Sequence, residues 1–225
     1  ARISIESFMS QNTPARKPVR TWSDWEKAVT DGQTTAAEER LVDACQQGIP
    51  CTLGDGTRPT APSDDRTIGA DLLRYLIVGG CDGCELHESG VALAGAYITG
   101  ALDLMYCRTI GMTRLVDCFF NGRILAEQAE FKLLNLSGST CSGLGAEGAT
   151  VKGNVLLRNG FIAKGAVRFA GAKIGGQLVC NYGTFENAKD DALNAQGTEV
   201  TGSVFLSDGF TAKGEVSFSG AQIGG

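Results

Sequence analysis

The hydrophobic positions of this chain follow two different patterns, and the change between them lies near residue 87. After that point apolar residues alternate with other residues over stretches of two to four, as in Val155/Leu157 and Val167/Phe169, and glycines separate the stretches. Alternation of this kind predicts very short strands with one buried face. Helices are not expected there, because each glycine inside a helix costs about 1 kcal/mol.

The alternating segments also repeat along the chain. Residues 144–176 and 193–225 are identical at 19 of 33 aligned positions. A shorter period lies inside this repeat, because three sets of apolar residues are separated by the same intervals of 20, 23, 26 and 23 residues. The three sets are Ile124, Leu144, Val167, Leu193 and Val216; Phe131, Val151, Ile174, Val200 and Ile223; and Ala126, Ala146, Phe169, Ala195 and Phe218.

An interval of 20 with an apolar residue about every five predicts a square coil with four five-residue sides. The longer intervals are the same coil with outward loops, of which Glu186–Asp191 is the longest. We therefore predict a mainly β fold, a right-handed parallel β-helix of quadrilateral section in which each coil hydrogen-bonds to its neighbours. Coils are expected from about Val91, and Met105–Met112 is interpreted as a looped-out side.

Glycine and proline content agrees with this fold. Of the 31 glycines, 23 lie after residue 87, where coil corners need a positive φ or a close approach of two backbones. All five prolines precede residue 63. Proline is excluded from the inner coils because each coil must donate its backbone N–H groups to the next.

The front of the chain has helical patterns instead. Thr21–Val29 begins with Ser23 as the expected N-cap and Glu26 three residues later, a capping-box spacing. Further helices are predicted over Thr34–Gly48 and Thr67–Gly80, each ending at glycine. Residues 50–66 are expected to form a loop.

These patterns predict a helical N-terminal cap over residues 1–87 and a solenoid over residues 88–225. The end of a β-helix exposes unpaired strand edges, which lead to aggregation unless they are covered. We expect the third helix to cover the first coil with its apolar residues. These are Leu72, Leu73, Tyr75, Leu76 and Ile77.

Two resemblances rest on these segments. Leu115–Val151, with its regular 20-residue step, resembles the pentapeptide-repeat superfamily, although the usual five-residue consensus is degraded. About residues 38–225 resemble bacterial proteins often labelled "membrane-associated oxidoreductase", through "ERLVDA" (Glu39–Ala44), "LLRYLIVGG" (Leu72–Gly80) and "HESGVALAGAYITGALDL" (His87–Leu104). The resemblance implies a β-helical fold. The oxidoreductase label has no cofactor motif behind it, because the G-x-G strings recur at the coil period and do not join a strand to a long helix.

Charge and composition exclude some partners. The net charge is −5, so no basic surface for nucleic-acid phosphates is indicated. Residues 88–225 carry 11 basic and 12 acidic side chains, a balance that does not fit mimicry of DNA. No apolar run reaches the ~20 residues of a transmembrane helix. Eight cysteines favour a reducing cytoplasm over a disulfide-stapled secreted domain, with a peripheral membrane position left open.

The sharpest chemical spacing is "CDGCELH", which contains Cys81, Cys84 and the single histidine, His87. Two thiolates and an imidazole can hold zinc tetrahedrally, with Cys45 or Cys51 as the fourth ligand. The alternative interpretation is a pair of ordinary cysteines at the turn between cap and coil. Zinc is therefore a possible cofactor, and no other cofactor is predicted.

The remaining candidate residues are interpreted as structural. Cys118 and Cys180 fall at or near ladder positions, where cysteine acts as a small hydrophobe. Cys107 and Cys141 have no ligand-like partner in the sequence. Glu127 and Glu147 are one coil apart and are expected to stack on a solvated side. No catalytic residue is assigned, so a carbohydrate enzyme with paired carboxylates is not favoured.

These observations favour a non-enzymatic binding or scaffolding solenoid, with a metal- or redox-active protein centred on Cys81, Cys84 and His87 as the alternative. The outward features expected to meet a partner are Asn181–Asp191 and the equivalent segments around Phe161 and Phe210, whose rings are expected to point inward. The second copy of the repeat stops in mid-coil at Gly225. We therefore expect the natural chain to continue, or this open end to pair with another chain.

Overall fold

The computed structural model describes residues 16–80 and 85–225 of the chain. It is a parallel β-solenoid of about six turns preceded by three short helices, which confirms the predicted β-helix with a helical N-terminal region. Each coil has four sides, and strands on the same side of successive coils pair in parallel. We call the four resulting ladders faces 1 to 4.

The strands are two to five residues long except where two of them run through a corner. Face 1 contains Cys51–Thr52, Gly90–Ala94, Met112–Val116, Leu134–Asn135, Val155–Leu156, Leu178–Val179 and Val204–Phe205. Face 2 contains Thr67–Gly69, Tyr97–Thr99, Phe119–Phe120, Thr140–Cys141 and Ile162–Ala163. Face 3 contains Leu102–Asp103, Ile124–Leu125, Leu144–Gly145 and Val167–Arg168. Face 4 contains Glu130–Phe131, Thr150–Val151, Lys173–Ile174, Glu199–Val200 and Gln222–Ile223. Two longer strands, Thr184–Asn194 and Thr211–Ser217, continue from face 2 into face 3.

The strand register confirms the apolar ladders. On face 3 Leu144 lies between Ile124 and Val167, and the ladder continues to Leu193 and Val216. On face 4 the ladder from Phe131 to Ile223 is formed in the same order. The third set follows through backbone hydrogen bonds between neighbouring coils, such as that from the Phe169 N–H to the Asn194 carbonyl (2.7 Å).

Burial of these ladders gives the solenoid a single apolar core. The buried cluster is continuous from Val19 in the front region to Val200 in the solenoid. Fully buried aromatic rings such as Phe131 and Phe169 lie inside the coils with aliphatic side chains from all four faces. Burial of apolar area at about 25 cal/mol per Å² is the main force that holds such a stack together.

Three helices form the front region, and the third covers the first coil as predicted. They are α1 (Trp22–Thr30), α2 (Ala36–Gln47) and α3 (Ala70–Ile77). The five apolar side chains expected to form the lid, all on α3, are at most 3% exposed. Among the described residues, none of the three helices has the length and apolar content that crossing a bilayer requires.

Several predicted boundaries were wrong. The capping box of α1 uses Thr21 and Asp24, two residues earlier than expected, whereas α2 begins and ends close to its predicted bounds. Within the predicted loop, Cys51–Thr52 is a strand that pairs with the first full coil. Thr67–Gly69 is likewise a strand of face 2 rather than the start of the third helix, so the front region supplies two sides of an incomplete coil.

The segment interpreted as a looped-out side is instead the fourth side of the first coil. Arg108 forms a parallel bridge to Glu130, and the Ile110 N–H donates to the Ile77 carbonyl at the end of α3 (3.2 Å). The helix end therefore occupies the place where an earlier strand of face 4 would lie.

Two opposite corners of each coil use the left-handed backbone conformation. Between faces 3 and 4 the corner residues have φ between 57° and 68°, and they are Tyr106, Gln128, Gly148, Gly171, Gly197 and Gly220. Between faces 1 and 2 the same conformation occurs at Gly95, Asp117, Gly138, Asn159, Tyr182 and Asp208. Positive φ favours glycine, and asparagine and aspartate tolerate it better than other residues. The glycine content indicated left-handed corners, but it did not indicate that other residues adopt the same conformation at both of them. These are Tyr106, Gln128, Asp117, Asn159, Tyr182 and Asp208.

Polar contacts hold the front region together and attach it to the solenoid. The Arg16 guanidinium bonds the buried Glu38 carboxylate (2.7 Å) and the Asp71 carboxylate (2.8 Å), which joins α2 to α3. In the loop after Cys51–Thr52, Arg58 donates to the carbonyl groups of Gly138 (2.7 Å) and Gly160 (3.0 Å) in two later coils.

Candidate functional site

The predicted metal site lies partly outside the described residues, because Cys81 and Cys84 belong to residues 81–84. His87 is described, and it lies beside the C-terminus of α2. Its backbone N–H donates to the Cys45 carbonyl (3.0 Å), and its Nδ1 accepts from the Ser89 N–H (3.1 Å). The ring fills the space beside Gly48, where a Cβ atom would collide with it.

These contacts define what the imidazole can do. Because Nδ1 accepts a hydrogen bond, the neutral ring holds its proton on Nε2. A metal at Nε2 requires the other tautomer, with Nδ1 donating, so metal binding there would release the Ser89 contact. Metal binding at Nδ1 would release it as well.

The two cysteines considered as a fourth ligand are both buried. Cys45 lies on α2, and Cys51 lies on the first strand of face 1. Burial raises the pKa of the Cys51 thiol, which opposes the thiolate form that binds metals. Within residues 16–80 and 85–225, no three histidine, cysteine or acidic side chains are grouped so as to hold a metal ion. A site at Cys81, Cys84 and His87 stays a prediction.

The interior cysteines are apolar packing residues, as predicted. Burial raises the pKa of the Cys118 and Cys180 thiols to about 12 and that of Cys141 to about 11. Thiols with such pKa values are weak nucleophiles at neutral pH. Cys107 is half-buried, and its Sγ accepts a hydrogen bond from the Arg74 guanidinium (3.3 Å).

Glu127 and Glu147 stack one coil apart after face 3, as expected, but both are half-buried rather than on a solvated side. Glycine at position 145 provides the space for both carboxylates, because a Cβ atom there would meet Glu127 Oε1 and lie 3.2 Å from Glu147 Oε2. One oxygen of each carboxylate, Oε2, is buried and has no hydrogen-bond partner among the described residues. Like charges at facing positions destabilise a sheet, so this pair weakens the stack.

The segment Asn181–Asp191 is less exposed than the sequence indicated. Phe185 is fully buried, and its ring lies between Phe161 (5.5 Å between centroids) and Phe210 (5.2 Å). This confirms the predicted inward direction of Phe161 and Phe210. The exposed residues are Tyr182 and residues 188–190, where the Asp190 carboxylate pairs with Arg168 (3.2 Å).

An apolar column on face 1 was not recognised from the sequence. Leu156, Val179 and Phe205 occupy facing positions on three successive coils and point outward. We call these three residues the face 1 patch. Phe205 is 37% exposed, Leu156 is half-buried, and Val179 lies between them with 7% exposure. The sequence did contain a signal for this column, because its apolar residues are separated by the same intervals as the inward ladders.

Polar residues border the face 1 patch on both sides. Asn154 and Gln177 precede its first two members by two positions, and Arg158 and Asn181 follow them by two. In a strand, residues two apart point to the same side, so these side chains surround the patch. An apolar centre with a polar rim is the usual anatomy of a protein interface.

Comparison with protein-family models, curated proteins and solved structures finds no match for this chain. The β-solenoid is therefore the part of the resemblance that the structure supports. The family assignment stays a prediction, and the oxidoreductase label has no support from these comparisons.

Proposed function

We propose that this protein is a binding scaffold whose solenoid presents the face 1 patch to a protein partner. The observation that carries the proposal is the apolar column of Leu156, Val179 and Phe205 inside a border of polar side chains. The core of a protein interface is apolar and enriched in aromatic residues such as Phe205, and its rim is polar.

The coil stack makes this patch rigid before a partner arrives. Each patch residue is held by inter-coil hydrogen bonds, such as the Leu157 N–H to the Val179 carbonyl (2.8 Å) and the Cys180 N–H to the Phe205 carbonyl (2.8 Å). A surface that is ordered in advance loses less conformational entropy on binding. The same rigidity supports a scaffold role.

The last coil is a second surface for association. Its inward side chains are only partly buried, and Ile223 is 45% exposed. Among the described residues the strands Val204–Phe205 and Gln222–Ile223 pair on one side only. A further coil or a second copy of the chain can cover these groups, and we propose that in the 225-residue chain a second copy does so.

Crosslinking in cells tests the face 1 patch. The protein is crosslinked in its native cells, and its attached partners are identified by mass spectrometry for the wild type, Val179→Lys and Leu125→Lys. Leu125 is a half-buried outward residue of face 3, so its variant adds the same charge on another side. We expect one set of partners for the wild type and Leu125→Lys, and its loss in Val179→Lys. Equal recovery from all three variants would contradict the assignment of the patch.

Light scattering after size exclusion tests association through the last coil. We expect a concentration-dependent dimer for the wild type and a monomer for Ile223→Lys, because a buried charge without a partner opposes the contact. Tyr106→Lys is the control, since Tyr106 is 79% exposed at a distant corner. A wild-type monomer at every concentration would remove this part of the proposal.

The alternative of a metal or redox centre keeps one supporting observation, the fixed position of His87 beside the Cys45 carbonyl. Elemental analysis of untagged protein decides it. Stoichiometric zinc that is lost in His87→Ala and in Cys81→Ser would support a metal site, and metal-free wild type would reject it.

We further propose a cytoplasmic location. The support is the cysteine content, because eight cysteines in 225 residues are too few for a disulfide-stapled secreted domain and agree with a reducing compartment.

A further inference from the structure

A groove lies on face 4 where α3 ends against the solenoid. Its volume is about 370 Å³, within the range of small-molecule sites, which begins near 300 Å³. Apolar groups come from Val78 and Ile110, and Phe131, whose ring points into the core, borders the groove between Glu130 and Lys132. Cationic groups come from Arg108, Lys132 and Lys152, and Glu130 and Thr109 complete the lining.

The groove follows from the way the first coil closes. The fourth side of that coil attaches to the end of α3 through the Ile110 N–H and makes a single bridge, Arg108 to Glu130, to the next coil. Face 4 therefore starts beside a helix end rather than beside another strand. The recess between the helix end and the ladder is bordered by Val78 and Lys132.

The charges of face 4 differ between two adjacent outward columns. In one column, charges at facing positions have opposite signs: Arg108 pairs with Glu130 (2.7 Å), and Lys173 with Glu199 (3.6 Å). Lys213 and Glu186 pair in the same way on another side (2.9 Å). Like charges also face each other in this solenoid, at Glu127 and Glu147 and at Asp191 and Glu215.

The second column of face 4 has two cations at facing positions, and both of them line the groove. Val151 faces Phe131, so the residues that follow them, Lys152 and Lys132, face each other one coil apart. Strands in a ladder are about 4.8 Å apart. Among the described residues neither ammonium group is in an ion pair. Side chains that leave strands this close together can reach the same anion, and the like charges of the two lysines oppose each other where no anion lies between them.

We propose that this groove binds a small molecule that carries a phosphate monoester and an apolar body. A phosphate monoester has a charge of about −1.5 to −2 at neutral pH, which matches the two ammonium groups of Lys132 and Lys152. Lysine binds phosphate as a point charge and needs no planar geometry. The apolar body lies against Val78 and Ile110, on the wall supplied by the helix end.

Phenyl phosphate is the probe for the test, with inorganic phosphate as the comparison, at constant ionic strength. Calorimetric titration of the 225-residue protein is expected to show binding of phenyl phosphate. Each of Lys132→Gln and Lys152→Gln is expected to weaken it about tenfold, the effect of losing one charge-assisted contact, and the double variant to abolish it. Lys173→Gln is the matched control, because Lys173 lies on the same face outside the groove.

The melting temperature without ligand is a second measurement, and it tests whether the two lysines repel each other. In phosphate-free buffer, Lys132→Gln is expected to melt at a higher temperature than the wild type, because it removes the repulsion between the two lysines. Equal binding of phenyl phosphate by the wild type and the double variant would overturn the proposal. Equal affinity for inorganic phosphate and phenyl phosphate would overturn its apolar part.

Discussion

At the scale of single residues, two fully buried threonines lie in apolar columns and differ in their hydrogen bonds. Thr113 is fully buried between Val91 and Leu134 on face 1, and its hydroxyl has no hydrogen-bond partner among the described residues. Thr198 is also fully buried, but its hydroxyl donates to the Phe169 carbonyl (2.7 Å). The two threonines are therefore equally buried, but only the Thr198 hydroxyl has a hydrogen-bond partner among the described residues.

Replacing each threonine by valine is expected to change stability in opposite directions. Thr113→Val removes an unsatisfied buried hydroxyl and should raise the free energy of unfolding by about 1 kcal/mol, whereas Thr198→Val breaks a buried hydrogen bond and should lower it by about 1 kcal/mol. Urea unfolding of both variants measures this. A loss of stability in Thr113→Val as large as that in Thr198→Val would contradict the assignment.

Thr113 also lies next to the segment whose strand register could not be predicted from the sequence. The register between Leu104 and Leu115 could not be fixed, because Met105–Met112 has no regular alternation. In the structure this segment is held by the end of α3 and by the bridge between Arg108 and Glu130. Both are long-range contacts that no local pattern encodes. The face 4 groove depends on the same contacts, so it could not be predicted either.

At the scale of elements, the N-terminus of α1 shows how a correct motif can be placed at the wrong residues. Ser23 with Glu26 and Thr21 with Asp24 both have the capping-box spacing. The structure uses the second pair, in which Asp24 accepts from the Thr21 N–H (3.0 Å) and pairs with Lys17 (2.7 Å). The extra cation, outside the motif, distinguishes the two choices.

The contacts of Asp24 predict how α1 responds to acid. Hydrogen bonds from Lys17 and Thr21 lower the pKa of Asp24 from 3.8 to about 2. Because this pKa is lowered in the folded state, the stabilisation is present above about pH 3.8 and is lost as the pH falls through about 2. An NMR titration of the carboxylate should show the low pKa in the wild type and a value closer to 3.8 in Lys17→Ala. An unchanged titration in that variant would exclude Lys17 as the main cause.

A side of a square coil can be recognised from sequence, but the face on which it lies cannot. The segments that begin at Val91 and Val167 match in sequence, yet Val91 lies on face 1 and Val167 on face 3. Every side needs the same alternation between an inward apolar residue and an outward one, so similar sides recur on any face. The ladders with constant intervals were predicted correctly because they compare the same face through all coils.

The left-handed corners provide a test at this scale. Gly171 has φ of +66°, and nothing lies within 4 Å of a Cβ atom added there. A substitution therefore measures backbone conformation alone. Gly171→Ala should lower the free energy of unfolding by about 1–2 kcal/mol, and Gly171→Asn should lower it less because asparagine tolerates this conformation. Equal losses in chemical denaturation would indicate a steric cause instead.

At the scale of the whole molecule, the front region and the solenoid share one apolar core, although residues 1–87 and 88–225 differ in composition. Strands from the front region pair with the first full coil on faces 1 and 2, and Arg58 bonds two later coils. In a solenoid, stability depends on contacts between neighbouring units. We propose that the front region acts as the first unit of the stack rather than as a separate domain.

Unfolding followed by two probes tests this proposal. Both tryptophans, Trp22 and Trp25, belong to α1, so their fluorescence reports on the front region, whereas far-ultraviolet circular dichroism reports mainly on the strands. We expect the two signals to change at the same urea concentration, because coincident transitions are the mark of one cooperative unit.

Leu76→Ala removes a fully buried side chain of α3 and should lower the free energy of unfolding by about 2–5 kcal/mol. Both transitions should then move together, whereas Val29→Ala, at a 43% exposed position of α1, should move neither. If Leu76→Ala shifted the fluorescence transition and left the dichroism transition in place, the front region would be an independent domain, and the solenoid would be stable without its helical lid.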